Sequence, residues 1–134
     1  MISDAQGTPL TLQVTAANVH DSVPAIDMLD NIPLIKGQRG RPRKRPNRFQ
    51  GDRAYGSRSN KLSCIQRKVK PELASLRTPH GSGLGKTRWV IERTQAWYSF
   101  FRRLKVCYEK TQISTLSFHA VATILIVWNV IIRI

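Results

Sequence analysis

Apolar and polar residues alternate close to the start of the chain. Leu10, Leu12 and Val14 are separated by single polar residues, so they fall on one face of an extended segment. This pattern predicts a strand over residues 9–15. The preceding residues 4–7 end in glycine and are typical of a tight turn. The two segments together predict a hairpin whose first strand is short.

The next segment has the pattern of a short helix. Asp21 or Ser22 is placed to cap it, Pro24 falls in its first turn, and Pro33 is expected to end it. Three apolar side chains are expected to face inward from this helix: Ile26, Met28 and Leu29.

The middle of the chain alternates between polar linkers and short regular elements. Residues 37–48 are rich in Arg, Lys, Pro and Gly, which predicts a solvated loop. Residues 49–52 predict a brief strand with Asp52 at its C-terminal end, and residues 60–68 predict a helix. Residues 71–85, closed by three alternating glycines, predict a second loop.

A helical period begins at Thr87. Apolar residues recur at intervals of three and four, which predicts a buried stripe. Its members are Val90, Thr94, Trp97, Phe101 and Leu104. Polar residues recur at the same spacing on a second stripe, namely Arg88, Glu92, Gln95, Ser99 and Arg102. Glu92 is therefore expected on the polar face of the helix and not in the core.

The last apolar segment begins at about Ser114. Residues 111–132 contain no charged side chain, and this length is sufficient to span a bilayer. Polar residues interrupt the segment, and no cluster of positive charge follows Arg133. We favour a buried core helix, with a membrane span as the alternative.

The composition of the chain indicates what kind of partner it binds. The 134 residues fit one domain, and a hydrophobic fraction of 41% is enough for a core. The net charge of +14 indicates a polyanionic partner, with nucleic acid as the first candidate and an anionic membrane surface as the second. Cys64 and Cys107 lack the spacing of a metal site and predict two reduced, buried thiols in a cytosolic protein. Residues 1–12 lack the apolar region of a signal peptide.

Two acidic residues are isolated in basic surroundings. Between Asn31 and Pro71 there are thirteen lysines and arginines, and Asp52 is the only acid. Glu92 lies forty positions downstream of Asp52, on the arginine-rich helix. Carboxylate oxygens suit Mg²⁺, and two such ions about 3.5–4 Å apart can activate an attacking hydroxyl and stabilise a leaving oxygen. Each acid therefore either neutralises an arginine or holds a divalent metal beside a polyanion.

Two further segments suggest contact with phosphates. Residues 81–87 look like a nucleotide-binding loop, but three residues separate the first glycine from Gly-Lys-Thr where the pattern needs four. We predict instead that this segment is a flexible lead into the helix that carries Glu92. Lys86 and Arg88 would then lie near the N-terminus of that helix, where phosphate groups bind favourably.

Residues 39–46 look like the core of an AT-hook, which can lie in a narrow minor groove. Non-specific contact with the DNA backbone is the favoured interpretation, and minor-groove insertion is the alternative. The candidate DNA-binding residues of this segment are Arg39, Arg41, Arg43, Lys44 and Arg45.

Taken in order, these segments resemble the bacterial insertion-sequence DDE transposases of the insertion-sequence-4/5-like group. Each matching piece is weak alone, but their order is specific and covers nearly the whole chain. The pieces are 4–10, 14–22, 40–43, Gly51-Asp52-Arg53-Ala54-Tyr55, 80–85 and Arg88-Trp89-Val90-Ile91-Glu92-Arg93-Thr94, followed by Trp97 and Arg102-Arg103-Leu104.

The resemblance implies an RNase H-like core and metal-dependent DNA cleavage and strand transfer that uses Mg²⁺ or Mn²⁺. Asp52 would be the second acid of the catalytic triad and Glu92 the third, and both would be metal ligands. Arg88 matches the arginine of the family's Tyr-Arg-Glu-Lys signature. Gly85 and Ser99 replace the tyrosine and the lysine of that signature.

The family's first acid lies on a strand upstream of the hairpin that opens this chain. We therefore expect an α/β protein with an incomplete RNase H-like fold, a partial mixed sheet with flanking helices and no first strand. Residues 1–35 would hold the hairpin and a helix, and residues 36–48 the basic loop. Residues 49–134 would hold the second-acid strand, the glycine-rich loop, the glutamate helix and the C-terminal apolar helix.

The predicted function is that of a C-terminal transposase fragment that binds DNA but does not catalyse alone. Phosphates would be positioned by Arg53, Lys86, Arg88 and Arg93. The expected partners are DNA and an N-terminal transposase portion or full-length transposase, with oligomers allowed, in the cytoplasm and without a membrane. The alternatives are a noncatalytic DNA-binding protein that uses the AT-hook-like segment and a membrane-anchored basic protein.

Overall fold

The structure, a computed structural model, describes three stretches of the chain: residues 1–37, 39–74 and 85–132, with side chains from residue 89 onward in the last stretch. The chain divides into two compact units. The first comprises Met1–Ala17 and Gly85–Ile134, and the second comprises Asn18–Leu84. Residues 81–84 of the predicted glycine-rich loop lie outside the described residues.

The first unit opens with the predicted hairpin. Its two strands are antiparallel: β1 (Ile2–Ser3) and β2 (Pro9–Thr11). The Asp4 carboxylate closes the turn by accepting hydrogen bonds from the backbone N–H groups of Gln6 and Thr8, at 2.9 and 2.8 Å. β2 is shorter than the predicted strand because the two-residue β1 offers it no further partner.

Three helices complete this unit: α3 (Gly85–Ser99), α4 (Arg102–Lys105) and α5 (Gln112–Ile132). All three pack on one another. Their core is Tyr98, Ala122 and Ile126, with Met1, Leu12, Trp97, Phe101 and Leu104 partly buried around it. The predicted stripe therefore faces the interior, with Thr94 fully buried, while Tyr98 is a core residue that the stripe did not include.

The last helix is confirmed as a helix, but the prediction that it is buried is wrong for this chain. Among the described residues of α5 only Ala122 and Ile126 are buried. By length and composition the helix could cross a membrane. Only 11% of its most apolar 18-residue stretch is buried. The reason is geometric, because α3 and α4 cover one side of α5 and apolar residues continue around the other side.

The second unit begins with α1 (Ala25–Asp30), whose buried residues are Ala25, Met28 and Leu29. Ile26 is only partly buried. Pro24 takes the N-cap position and no side chain caps the helix, so the predicted capping by Asp21 or Ser22 is wrong. The Ser22 carbonyl accepts a hydrogen bond from the N–H of Ala25, whereas its hydroxyl contacts the His20 ring at 2.7 Å instead of capping the helix.

A β-α-β arrangement follows in the second unit. It consists of β3 (Arg48–Gly51), α2 (Arg58–Gln66) and β4 (Lys70–Leu73), and the two strands are parallel. The prediction of a loop from residue 71 is therefore wrong for residues 71–73. Pro71 cannot donate a ladder hydrogen bond, but a two-stranded sheet leaves each strand with an open edge where proline is tolerated.

The α/β class is confirmed, whereas the predicted single mixed sheet does not form among the described residues. The strands there form two separate two-stranded sheets, one antiparallel and one parallel. Each sheet lies within its own compact unit, so neither set of strands extends the other.

Candidate functional site

Asp52 follows β3 directly, as the sequence predicted. Its backbone is extended, and its side chain caps the 3₁₀ turn Arg53–Tyr55 by accepting a hydrogen bond at Oδ1 from the N–H of Ala54, at 2.9 Å. The residue is exposed, and Oδ2 has no hydrogen-bond partner among the described residues. The turn thus holds an accessible carboxylate at the C-terminal end of a parallel strand.

Tyr55 lies at the end of the same turn. Burial raises the pKa of its phenol, and the negative charges of Asp21 and Asp52 raise that pKa further. The phenol therefore stays protonated at neutral pH and adds no negative charge beside Asp52. Tyr55 and Leu73 both lie close to Gly51, since a Cβ on Gly51 would be 2.9 Å from Leu73 Cδ2 and 3.2 Å from Tyr55 Cβ.

Glu92 lies on α3 with its side chain exposed, which confirms its place on the polar face. The next two residues, Arg93 and Thr94, point the other way. The hydroxyl of Thr94 donates to the Gly7 carbonyl at 2.7 Å, within the first unit. This hydrogen bond, two residues beyond Glu92, therefore fixes the rotation of α3 about its axis.

Arg93 has contacts within its own unit. Its guanidinium carbon lies 4.6 Å from the ring centroid of Trp89 and 5.1 Å from that of Trp97, so the cation is held between two indole rings. Its Nη2 donates to the Gln6 carbonyl, and its Nε is buried without a hydrogen-bond partner among the described residues. Arg93 thus anchors the hairpin turn to α3.

The basic loop is closed at its base and open at its tip. Ile35 and Arg43 exchange two backbone hydrogen bonds of 2.8 Å, and Gly40 has a φ of +98° near the tip. The five predicted cations, Arg39, Arg41, Arg43, Lys44 and Arg45, are all exposed. None of them pairs within 4.0 Å with an acidic residue in the described part of the chain. Five exposed positive charges on one short loop create a positive surface.

The remaining predicted phosphate contacts lie on two elements. Arg53 is partly buried in the turn after Asp52. Lys86 and Arg88 belong to the first turn of α3, but their side chains lie outside the described residues.

Comparison with known proteins identifies the family. The family model described as "Transposase DDE domain" matches residues 1–127 of this chain. The chain belongs to the DDE transposase family. It is 42% identical over 133 residues to a Burkholderia cepacia protein assigned as the transposase for insertion sequence element IS402. The match covers 99% of this chain and 63% of that relative, and no solved structure matches significantly.

The DDE transposase family generally uses a divalent metal, and carboxylate oxygens are the ligands that a hard divalent cation prefers. The exposed Asp52 carboxylate has one oxygen without a hydrogen-bond partner among the described residues. Within the described ranges, however, no group of three His, Cys, Asp or Glu side chains is arranged to hold a metal. Asp52 and Glu92 lie in different compact units of the transposase chain.

The docking of the hairpin turn on α3 is the feature that sequence reasoning missed. Gly7 has a φ of +85°, and a side chain there would lie 3.0 Å from the Thr94 hydroxyl. The glycine at the end of the turn was the only sign of this contact in the sequence. A glycine can indicate that space is restricted, but it does not show which residue lies next to it.

Proposed function

We propose that this chain is the C-terminal part of a transposase catalytic domain with an RNase H-like fold, and that Asp52 and Glu92 are its metal-binding acids. The position of Asp52 supports this most directly. A backbone hydrogen bond fixes the exposed carboxylate at the end of a strand, in a segment that is otherwise basic. An ordinary surface salt bridge would need a lysine or an arginine beside Asp52, and no such pair of 4.0 Å or less occurs in the described part of the chain.

In this proposal Mg²⁺ or Mn²⁺ would supply the activation of a water or a 3′-hydroxyl for attack on a phosphodiester. The residues of the chain have simpler roles. Asp52 and Glu92 would supply oxygen ligands, and the hydrogen bond in the turn after Asp52 keeps the Asp52 carboxylate oriented. The hydrogen bonds of Arg93 and Thr94 to the hairpin turn fix the orientation of α3, which carries Glu92. Arg53, Lys86, Arg88 and Arg93 would position DNA phosphates.

We infer that the chain does not cleave DNA alone. It contributes two acids where the family's triad needs three, and a site short of one charged ligand holds a divalent ion weakly. Its partners would be DNA and the portion of a transposase that corresponds to the unmatched part of the relative, in the cytoplasm. The chain spans 63% of that relative, which leaves room for such a portion.

A chimera tests the catalytic roles. The chain would replace the matching region of the Burkholderia cepacia relative, and cleavage of that element's terminal DNA would be measured with Mg²⁺. Asp52→Asn or Glu92→Gln should each lower the cleavage rate by at least about 1000-fold, since each removes a charged metal ligand.

Asp27→Asn is the matched control, because Asp27 is an exposed acid on α1 that has no proposed role. Its chimera should cleave at the unsubstituted rate. Full cleavage by the Asp52 or Glu92 variant would refute the proposed role of that residue.

The closed basic loop favours a second candidate, a noncatalytic DNA-binding protein that inserts Arg39 and Arg41 into an A·T minor groove. Both side chains are exposed beside Gly40, where the backbone turns. Binding of the chain to A·T-rich and G·C-rich duplexes of equal length separates the candidates. A preference for A·T that disappears in Arg39→Gln/Arg41→Gln supports the hook. Equal affinity for both duplexes supports contact with the DNA backbone.

A further inference from the structure

The side chain of Asn60 connects three segments of the second unit. Asn60 lies in the first turn of α2 and is partly buried. Its Nδ2 donates to the Tyr55 carbonyl at 3.2 Å and, at the longer distance of 3.5 Å, to the Ser22 carbonyl. A side-chain amide nitrogen carries two hydrogens, so both contacts can form at the same time. Asn60 therefore joins α2 to the turn after Asp52 and to the segment around Ser22.

The backbone of Asn60 is held in place independently of its side chain. The Ser57 hydroxyl caps α2 by accepting a hydrogen bond from the Asn60 N–H at 3.1 Å. The start of the helix thus needs nothing from the Asn60 amide. Because the capped helix fixes the backbone of Asn60, the amide offers its two donors from a fixed place.

The turn after Asp52 needs a restraint at its far end. Its near end is held by β3, which pairs with β4 as far as Gly51. The far end is a single 3₁₀ turn, closed by a backbone hydrogen bond of 3.2 Å from the Tyr55 N–H to the Asp52 carbonyl. Hydrogen-bond geometry in such turns is poorer than in an α-helix. The hydrogen bond from Asn60 to the Tyr55 carbonyl supplies a restraint at this end.

The second contact of the Asn60 amide reaches the His20–Val23 turn. A backbone hydrogen bond of 3.0 Å between its first and last residues closes that turn. Burial raises the pKa of the Tyr55 phenol, and the charges of Asp21 and Asp52 raise that pKa further, so both carboxylates lie near the same ring. Like charges on two adjacent turns repel each other. The Asn60 amide is bonded to a carbonyl of each turn and opposes their separation.

We propose that Asn60 is a positioning residue for the metal site, because its amide ties the turn after Asp52 to the His20–Val23 turn and so keeps the Asp52 carboxylate in place for a divalent cation. This inference rests on the proposed metal-binding role of Asp52. Removal of a side chain that orients a metal ligand typically weakens metal binding by about 10–100-fold.

Amide hydrogen exchange, measured by NMR on the full chain without metal, tests the restraint. The Ala54 N–H donates to the Asp52 carboxylate at 2.9 Å, so its exchange rate reports whether the turn is closed. Asn60→Ala should speed exchange at Ala54 by at least about fivefold, because the turn opens locally. Exchange at Val69, whose N–H bonds the Cys64 carbonyl in the same unit, should not change.

Paramagnetic broadening by Mn²⁺ tests the consequence for the metal site. Added Mn²⁺ should broaden the Ala54 amide signal of the unsubstituted chain, and Asp52→Asn should abolish this broadening. Asn60→Ala should raise the Mn²⁺ concentration that gives half of the broadening by about tenfold. Ser59→Ala is the matched control, because Ser59 is the exposed neighbour in the same helical turn, and it should change neither the exchange nor the Mn²⁺ response.

The possible failures can be told apart. An unchanged exchange rate and Mn²⁺ response in Asn60→Ala would refute the positioning role alone. Equally faster exchange at Ala54 and Val69 would make Asn60 a purely structural residue and would also overturn the proposal. Asn60→Asp, which keeps the shape of the side chain and loses both donors, is the second variant, and loss of the fold in both variants would have the same meaning. Broadening that persists in Asp52→Asn would refute the metal-binding role of Asp52 and the proposal with it.

Discussion

Neighbouring residues of α3 have different partners, and this determines which way each side chain points. Glu92 is exposed, Arg93 is held between two tryptophan rings, and Thr94 is fully buried. Arg93 and Thr94 donate to consecutive carbonyls of the hairpin turn, those of Gln6 and Gly7. These two adjacent hydrogen bonds therefore fix the rotation of α3 about its axis relative to the hairpin turn.

Replacing Thr94 with valine keeps the shape of the side chain and removes its donor. The buried Gly7 carbonyl then loses its hydrogen bond, so we expect Thr94→Val to lower the free energy of unfolding by about 1–3 kcal/mol. Urea unfolding followed by tryptophan fluorescence measures the change. Ser99→Ala is the control, because that hydroxyl bonds at an exposed site and its loss should have little effect. Equal effects of the two substitutions would contradict the role of Thr94.

Asp30 makes stability depend on acid pH. Its carboxylate accepts two hydrogen bonds from Arg67, at 2.7 Å each, and these bonds lower the pKa of Asp30. The stabilisation is complete above the usual carboxyl pKa of about 3.9 and is lost as the pH falls through the lower pKa of the folded state.

We therefore expect Asp30→Asn to destabilise the protein at pH 7 and to have no effect at a pH below the depressed pKa. Thermal unfolding at both pH values measures this. A constant difference between Asp30→Asn and the unsubstituted chain across the pH range would contradict the linkage.

At the scale of elements, the parallel pair β3 and β4 is the feature that positions Asp52. Gly51 ends β3, and Gly56 ends the turn that Asp52 caps. A side chain at Gly56 would overlap the backbone carbonyl of Ala74, just beyond β4. The turn and the strand end therefore approach each other closely only because residue 56 has no side chain.

Gly56→Ala should consequently separate the Asp52 turn from the end of β4. Because the obstacle is backbone, which cannot move aside as a flexible side chain does, we expect a loss of about 1–3 kcal/mol or more in the free energy of unfolding. Gly37→Ala is the matched control, since a side chain there meets nothing within 4 Å. Chemical denaturation compares the two variants, and equal stability would refute the predicted clash.

At the scale of the whole molecule, charge is the dominant property. The net charge is +14, and the five exposed cations of the basic loop have no ion-pair partner of 4.0 Å or less among the described residues. The described ion pairs are made by other cations, namely Arg48, Arg67, Lys70 and Arg103. A polyanion can therefore reach these five cations without first breaking an ion pair of 4.0 Å or less within the described part of the chain.

DNA binding should therefore weaken steeply with salt. Each phosphate that the loop neutralises adds about −0.9 to the slope of log K against log salt concentration. Arg39→Gln/Arg41→Gln/Arg43→Gln should make the slope shallower by about 2–3. Arg102→Gln/Lys105→Gln/Lys110→Gln removes the same charge from exposed positions outside the loop and should change the slope by less. Equal slopes for the two triple variants would contradict a binding surface on the loop.

Local patterns predicted several elements well. The Asp4–Gly7 turn, the strand before Asp52 and the polar placement of Glu92 all follow from short-range rules of turn residues and periodicity. Errors occurred where a distant partner decides. The sequence predicts a loop from residue 71, yet pairing with β3 makes residues 70–73 a strand. The helix cap was misplaced because Pro24 took the N-cap position.

The sequence alone determined the basic character of the protein, its helices, its likeness to the DDE transposases and the two isolated acids, because these depend on composition, periodicity and residue order. Only the tertiary structure decided that Arg93 is held by Trp89 and Trp97 and that one face of α5 is left uncovered. The physical reason is that amphipathic periodicity shows which faces of an element are apolar. Which of those faces is buried depends on the elements that pack against it, and that information is not local.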